Sequence, residues 1–469
     1  MAYEQNSEIF RINKDLCSFS QDGKFLALAN QTNLSIKNTG TFDDYLTFVF
    51  SDVIEDIKWS PDSEFLLCCN FKKAVIQIFS IYYPEWKFKL TEGSSGLHSA
   101  IWAPDSKHII TVADLKVELS IWDLIDYNVV YIEHLKSSAV KGIEFSPNGA
   151  SLAIIISDNG QDSVDVYKTK DWKLSRKLIC DGLTCIDGLC WSPSSEIISI
   201  WCAIGGAAKM IIYSTVTESY EGIFQPADNK SIAISKNILT EEFDEKLRGL
   251  EIVRWMHSGQ LLAISGQNEM IVLLNCLTWS PLLQLRLEPV IKAGNYLTRI
   301  FKESIVKVSK DSNKSTDKTS ICYDRHISEV CERPVNIPIV KSEILMGGDP
   351  TTSIIHIIDI LEFSSCGQYL AVRHRIYPGT LWIWDIRTNS IDILLLQNVI
   401  SGIKWHPVYP RLLIFNESTY MFEWNPNEVL CFNIPRGMTA LDARWHPSNY
   451  TVVICGYNRA MVYHFNNNR

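Results

Sequence analysis

Trp102 to Asp123 reads WAPDSKHIITVADLKVELSIWD, and the fold turns on this stretch. An aromatic opens it, Pro104-Asp105-Ser106 makes a turn, Ile109 to Val112 is an apolar run, Ala113 to Lys116 turns again, and a second strand closes on Ile121-Trp122-Asp123. Pro and Asp pre-set turn geometry and β-branched residues suit a pleated strand, so the pattern predicts two short β-strands. Two strands alone bury too little surface to offset the entropy of ordering them. The unit therefore has to recur.

It recurs in a tight register. The opening aromatic stands at Phe19, Trp59, Trp102, Phe145, Trp191, Trp255, Phe363, Trp405 and Trp445, usually before Ser-Pro, His-Pro or an equivalent turn. Two positions earlier stand Cys17, Ile57, Ala100, Ile143, Leu189, Val253, Leu361, Ile403 and Ala443, all apolar. Seven positions later stand Leu26, Leu66, Ile109, Leu152, Ile198, Leu262, Leu370, Leu412 and Val452, all aliphatic. With 46% hydrophobic residues overall, neither column is expected by chance.

The first five anchors are spaced by 40, 43, 43 and 46 residues and the last three by 42 and 40, the period of a four-stranded propeller blade. Two gaps are longer. One holds a polar insertion at 225–248 with acidic residues Glu241, Glu242, Asp244 and Glu245; the other holds a polar insertion at 290–345 with a Lys/Ser/Asp/Asn-rich tract from Lys302 to Thr319, expected to be partly disordered. The last unit lacks a fourth strand, while Ser7 to Asn13 precedes the first anchor without a blade of its own. A ring lets the second supply the first. The expected fold is an all-β propeller in a single ring spanning 1–469, with nine blades, or eight if the large insertion distorts one unit.

Charge and composition narrow the function. A net charge of −9 argues against a general nucleic-acid binder, which needs a Lys/Arg surplus facing phosphate, and leaves proteins as the expected partners. No apolar run approaches the roughly 20 residues of a membrane helix, and MAYEQNSEIF does not read as a signal peptide. The 13 cysteines lack a disulfide-framework spacing and read as reduced core residues of a cytosolic protein. Cys185 and Cys190 come nearest to a metal pair but have no matching second pair, so no metal and no cofactor are expected. No Gly-x-Ser-x-Gly elbow, phosphate loop or His-Glu-x-x-His is present; Gly205-Gly206 and Gly347-Gly348 read as turns, and His406-Pro407 and His446-Pro447 take the place of Ser-Pro. The chain reads as a non-enzyme.

The sequence resembles the WD-repeat proteins, with Trp-Asp pairs at Trp122-Asp123 and Trp384-Asp385. Within them it looks like the centrosomal and spindle-pole family of the WD-repeat protein eight type, over nearly its whole length. The most specific piece runs from Pro84-Glu85-Trp86 through Glu92-Gly93-Ser94-Ser95-Gly96-Leu97 to Trp102-Ala103-Pro104-Asp105, supported by Asp171-Trp172-Lys173-Leu174, Leu277-Thr278-Trp279 and Leu381-Trp382-Ile383-Trp384-Asp385-Ile386. The resemblance implies a non-enzymatic adaptor in the cytoplasm, at centrosome or spindle pole, working with a coiled-coil anchoring protein. It further implies an indirect link to a minus-end-directed kinesin-14 and the gamma-tubulin complex, and roles in spindle and cilium assembly. The lysine-rich insertion departs from the family pattern. A propeller scaffold in another complex, such as translation initiation, is the alternative.

Four residues before each anchor, at the expected mouth of the innermost strand, stand Asp15, Glu55, His98, Lys141, Asp187, Glu251, Asp359, Ser401 and Leu441. Five acids among nine suggest an electronegative rim for a basic helix or peptide; ordinary solvated loop charge is the other reading. Trp86 either anchors a partner, as exposed aromatics at binding hot spots do, or packs on its own blade. Trp172 and Trp279 hold the equivalent place in their units, which favours packing.

Overall fold

The computed structural model describes residues 9–92, 96–116, 118–139, 141–180, 183, 185–203, 209–224, 250–266, 269–292, 297–309, 321–338, 358–434 and 437–465. The expected acidic patch of the first insertion and both glycine pairs lie outside these residues. Nine blade sheets follow one another along the chain, with a two-stranded sheet of Val290–Ile291 and Val335–Asn336 between the sixth and seventh. Blade three is the opening stretch completed: Ser99–Trp102, His108–Val112, Glu118–Asp123 and Val129–Glu133 in simple meander order.

The three sequence columns are the register of the inner hairpin. Each anchor is the last residue of its innermost strand and pairs directly with the aliphatic residue seven positions on, as in Trp102↔Ile109, Trp59↔Leu66 and Trp445↔Val452. All nine of those aliphatic residues are 0% exposed. Nine apolar clusters fill the nine gaps between neighbouring blades, and each joins one blade to the next. The last, joining Cys17, Phe19 and Leu26 to Val453, Cys455 and Val462, closes blade nine on blade one. Since every gap is filled by a face of each neighbour, there are nine blades and one ring.

Blade nine is built from both ends of the chain. Asp442–Trp445, Thr451–Cys455 and Arg459–His464 form its first three strands, and Ile9–Arg11 pairs antiparallel with the third, Ile9 opposite Met461. The N-terminal strand thus covers an edge that would otherwise present unpaired backbone. At this seam His446 sits edge-to-face on Phe19 and its Nε2 lies 2.8 Å from the Gly23 carbonyl oxygen. Gly23, at φ +73°, is required there: a Cβ would lie 2.7 Å from that imidazole.

Blade seven departs from expectation. Its meander, Ile358–Phe363, Tyr369–His374, Thr380–Asp385 and Ser390–Leu395, is extended by Thr298–Ser309 and Ile321–Glu329 into six strands. Thr298–Ser309 runs parallel to Ser390–Leu395, from Thr298 opposite Ile391 to Lys302 opposite Leu395. The tract expected to be disordered from Lys302 therefore begins as strand through Ser309. Alternation explains it: Phe301 and Glu303 are buried while Lys302 and Ser304 face out. The buried Glu303 carboxylate pairs with Arg325 at 2.5 Å and accepts the Gln397 N–H at 2.8 Å.

Candidate functional site

The loops entering the innermost strands and the loops between second and third strands meet on one face of the ring. Their approach is fixed by backbone: the N–H groups of Glu55, His98, Asp187, Glu251, Ser401 and Leu441 donate at 2.7–2.9 Å to the carbonyls of Cys69, Val112, Trp201, Ser265, Phe415 and Cys455. Each residue is thus at the mouth of its blade, where the sequence column placed it.

The side chains divide into two kinds. Glu55 Oε2 accepts the N–H of Phe71 at 2.8 Å and Asp187 Oδ2 that of Ala203 at 2.6 Å, so each caps the second-to-third-strand loop of its own blade. Asp359 takes a two-pronged bond from Arg373 at 2.9 and 2.5 Å, and Glu251 is 6% exposed. His98 is exposed, and Asp15 is half-buried, lying 3.8 Å from Arg444. Lys72 beside Glu55 and Lys73 paired with Asp52 interrupt the negative charge. Two of the five acids, Glu55 and Asp187, hold loops in shape, and the lysines break the run of negative charge beside Glu55.

Trp86 lies in the turn before the outer strand Lys87–Thr91 of blade two, half-buried and edge-to-face on Phe65 at 5.2 Å. Trp172 and Trp279, 7% and 6% exposed, occupy the same turn of blades four and six. Trp172 packs on His108 and Phe145, and Trp279 on Trp255. All three serve packing between units. In the link from blade two to blade three, Glu92 receives the indole N–H of Trp122 at 3.1 Å and the hydroxyl of Thr111, tying the link to blade three.

A further set was not found from sequence. In five blades the anchor indole reaches across to the preceding blade: Trp59 to the Ser18 carbonyl, Trp102 to Lys58, Trp191 to Glu144, Trp405 to Glu362 and Trp445 to Lys404, at 2.9–3.3 Å. The acceptors fall one position before each preceding anchor. That column carries charge: Lys58 meets Asp56 at 3.0 Å and the Ala100 carbonyl at 2.8 Å, and Arg444 meets Asp442 at 2.5 Å. Burial raises the Glu362 carboxyl, against the opposing pull of Lys404 and Arg254. Scanning the position before each anchor for charge is the signal that finds this set.

The His-Pro pairs do turn work, as expected. His406 Nδ1 accepts the N–H groups of Val408 and Tyr409 at 3.0 and 3.1 Å, as Ser20 and Ser60 hydroxyls accept those of Phe25 and Phe65. A cleft of about 370 Å³ lies where the inserted strand meets blades seven and eight. Its polar groups are engaged with one another: Arg299 donates to both Asp392 oxygens and to the Pro426 carbonyl, and the Trp424 indole donates to Asp392.

The cysteines are rearranged relative to expectation. Cys190 is turned into the core between blades five and six, and burial pushes its thiol up to about 12. Cys185 instead approaches Cys202, Sγ to Sγ 3.2 Å.

Comparison with known proteins places this geometry. A family model described as eukaryotic translation initiation factor eIF2A matches residues 20–159, less than a third of the chain. The mouse WD repeat-containing protein WRAP73 is 26% identical over 96% of this chain and 93% of its own length. An uncharacterized WD repeat-containing protein of Schizosaccharomyces pombe is 20% identical over 95% of this chain and 89% of its own. Among solved structures, the C-terminal WD40 domain of Sif2 covers 99% of this chain and 100% of its own at 10% identity, with a TM-score of 0.49. The chain is an all-β propeller, its nine blades closed into one ring, and over nearly its whole length it is similar to WD repeat-containing proteins.

Proposed function

We propose that the protein is a non-enzymatic adaptor of microtubule-organising centres, binding a coiled-coil anchoring protein at the centrosome or spindle pole. Through that partner it would engage a minus-end-directed kinesin-14 and the gamma-tubulin complex, anchor microtubule minus ends, and support spindle or cilium assembly. The observation that carries the reading is the end-to-end match to WRAP73, which covers 96% of the chain rather than one group of blades. The geometry suits docking: loops pinned by Glu55 and Asp187 lose little freedom when a partner binds, so less binding energy is consumed in ordering them. The test is a tagged full-length protein in dividing cells. One or two pole-associated spots, with coiled-coil pole proteins co-purifying, are expected; a diffuse signal that stays diffuse through mitosis refutes the reading.

One observation favours a second reading. The translation-initiation family model matches 20–159, which spans blade one to the second strand of blade four. That segment is dominated by the anchors and turns any WD-repeat ring carries, so it weighs less than a full-length match. Co-sedimentation with ribosomal subunits would favour this alternative.

A further inference from the structure

We propose that Cys185, Asp187 and Cys202 bind a thiophilic divalent cation of the zinc class, with a fourth coordination position open to solvent. The expectation of no metal rested on pairing Cys185 with Cys190, but the fold assembles a different set. Cys202 is the last residue of the second strand of blade five, Ile197–Cys202, and is 0% exposed; Cys185 and Asp187 stand on the loop entering the innermost strand of the same blade. The Cys185 Sγ lies 3.2 Å from the Cys202 Sγ and 3.6 Å from Asp187 Oδ2, and the three ligand atoms fall within 4.8 Å of one another.

Zinc bonds of about 2.3 Å to sulfur and about 2.0–2.2 Å to oxygen place tetrahedral donors roughly 3.4–3.8 Å apart. A small rotation of one thiol reaches that geometry. Two thiolates with a carboxylate form a donor set that suits zinc and excludes magnesium or calcium, which take oxygen alone. Outer contacts fix the ligands from two sides. Asp187 Oδ2 is held by the Ala203 N–H at 2.6 Å, and the Ile186 N–H between the two loop ligands donates to Asp162 at 2.9 Å, itself paired with Lys136 at 2.5 Å. Cys185 and Asp187 are partly exposed, so a water or a partner's side chain has access to the open position.

The test uses full-length protein, purified with reductant, stripped of metal and titrated with cobalt(II), whose thiolate charge-transfer band reports sulfur ligation. One cobalt per chain is expected, with the band abolished by one equivalent of zinc. Cys185→Ser should lose about half the band, and Asp187→Asn, which can still accept the Ala203 N–H, should keep it while binding about tenfold more weakly. Circular dichroism of each variant guards against misfolding. The proposal is overturned by the absence of a band at stoichiometric cobalt, or by an unchanged band in Cys185→Ser, which assigns it to other thiols such as the exposed Cys331 and Cys366.

Discussion

Three serines sit where left-handed backbone ordinarily calls for glycine. Ser63, Ser106 and Ser195, four positions after their anchors, have φ of 65°, 58° and 64°, whereas Gly23, Gly149, Gly259 and Gly367 fill the same position in other blades. Each serine hydroxyl receives a backbone N–H from the preceding blade, those of Asp22, Asp62 and Asn148, at 2.9–3.1 Å. The interblade bond offsets the strain of roughly 1–2 kcal/mol that a Cβ brings to this conformation. Ser106→Ala, which keeps the strain and loses the bond, should cost about 1–2 kcal/mol in urea unfolding, while Ser106→Gly, which loses both, should be close to neutral. No loss in Ser106→Ala would mean that the bond contributes nothing, and equal losses in the two variants would mean that the left-handed backbone carries no strain there. A second residue sets a pH window. His374 is 0% exposed, and burial pushes its imidazole from 6.5 down to about 4, opposed weakly by Asp359. Between those values the unfolded chain takes up a proton that the folded chain refuses, so stability falls as pH drops from about 6.5 to about 4 and levels off beneath. The loss is about 3 kcal/mol, and His374→Gln should flatten it when urea midpoints are compared across pH. His108, raised chiefly by its bond to Asp105, acts in the opposite sense, its contribution fading as pH rises through its folded value; it is common to both proteins and cancels.

The inserted strands of blade seven make the corresponding argument for elements. Glu303 is buried, pairs with Arg325, and Arg325 lies 3.8 Å above the Tyr420 ring of blade eight, so one ion pair fastens the hairpin to two blades. Removing one partner of a buried pair costs about 3 kcal/mol, because the other is left without compensation. Glu303→Gln should therefore raise amide exchange in Thr298–Ser309 while exchange in the inner strands of the ring stays unchanged; slow exchange across the whole hairpin would show that packing of Ile300 and Phe301 holds it without the pair. This element marks the limit of what the sequence discloses. The nine anchors were legible because burial on both faces forces the columns before and after them to be apolar. Thr298–Ser309 was not, because a strand on the outer edge needs only alternation, and its inward carboxylate is satisfied by an arginine 22 residues away in sequence. The site was legible in the same uneven way: the column at the blade mouths was located, but not that two of its acids, Glu55 and Asp187, cap loops, and Cys185 met Cys202 through a hairpin that local spacing does not reveal.

At the scale of the whole molecule the ring has one place where covalent continuity is missing, and that is blade nine. Its outer strand, Ile9–Arg11, is held by three paired residues and by Ile12, which is 1% exposed at the junction with blade one. Burying the apolar side chains of this segment is worth roughly 3–6 kcal/mol, and every blade contributes to a structure that stays closed only while the seam holds. Deleting residues 1–13 should therefore lower the thermal midpoint of the entire ring, not of blade nine alone, and expose the Arg459–His464 edge to association detectable by light scattering. A circular permutant separates the loss of the strand from the loss of its connection. Joining the two termini and opening the chain between blades two and three moves the gap to a different blade while keeping every strand. Because the nine junctions are of one kind, the permutant should fold, unfold in one transition, and retain whatever partner the assembled face binds. Failure of the permutant to fold while a nicked chain with all its strands remains intact would show that the seam at blade nine has a role in assembly that the other eight junctions cannot take over.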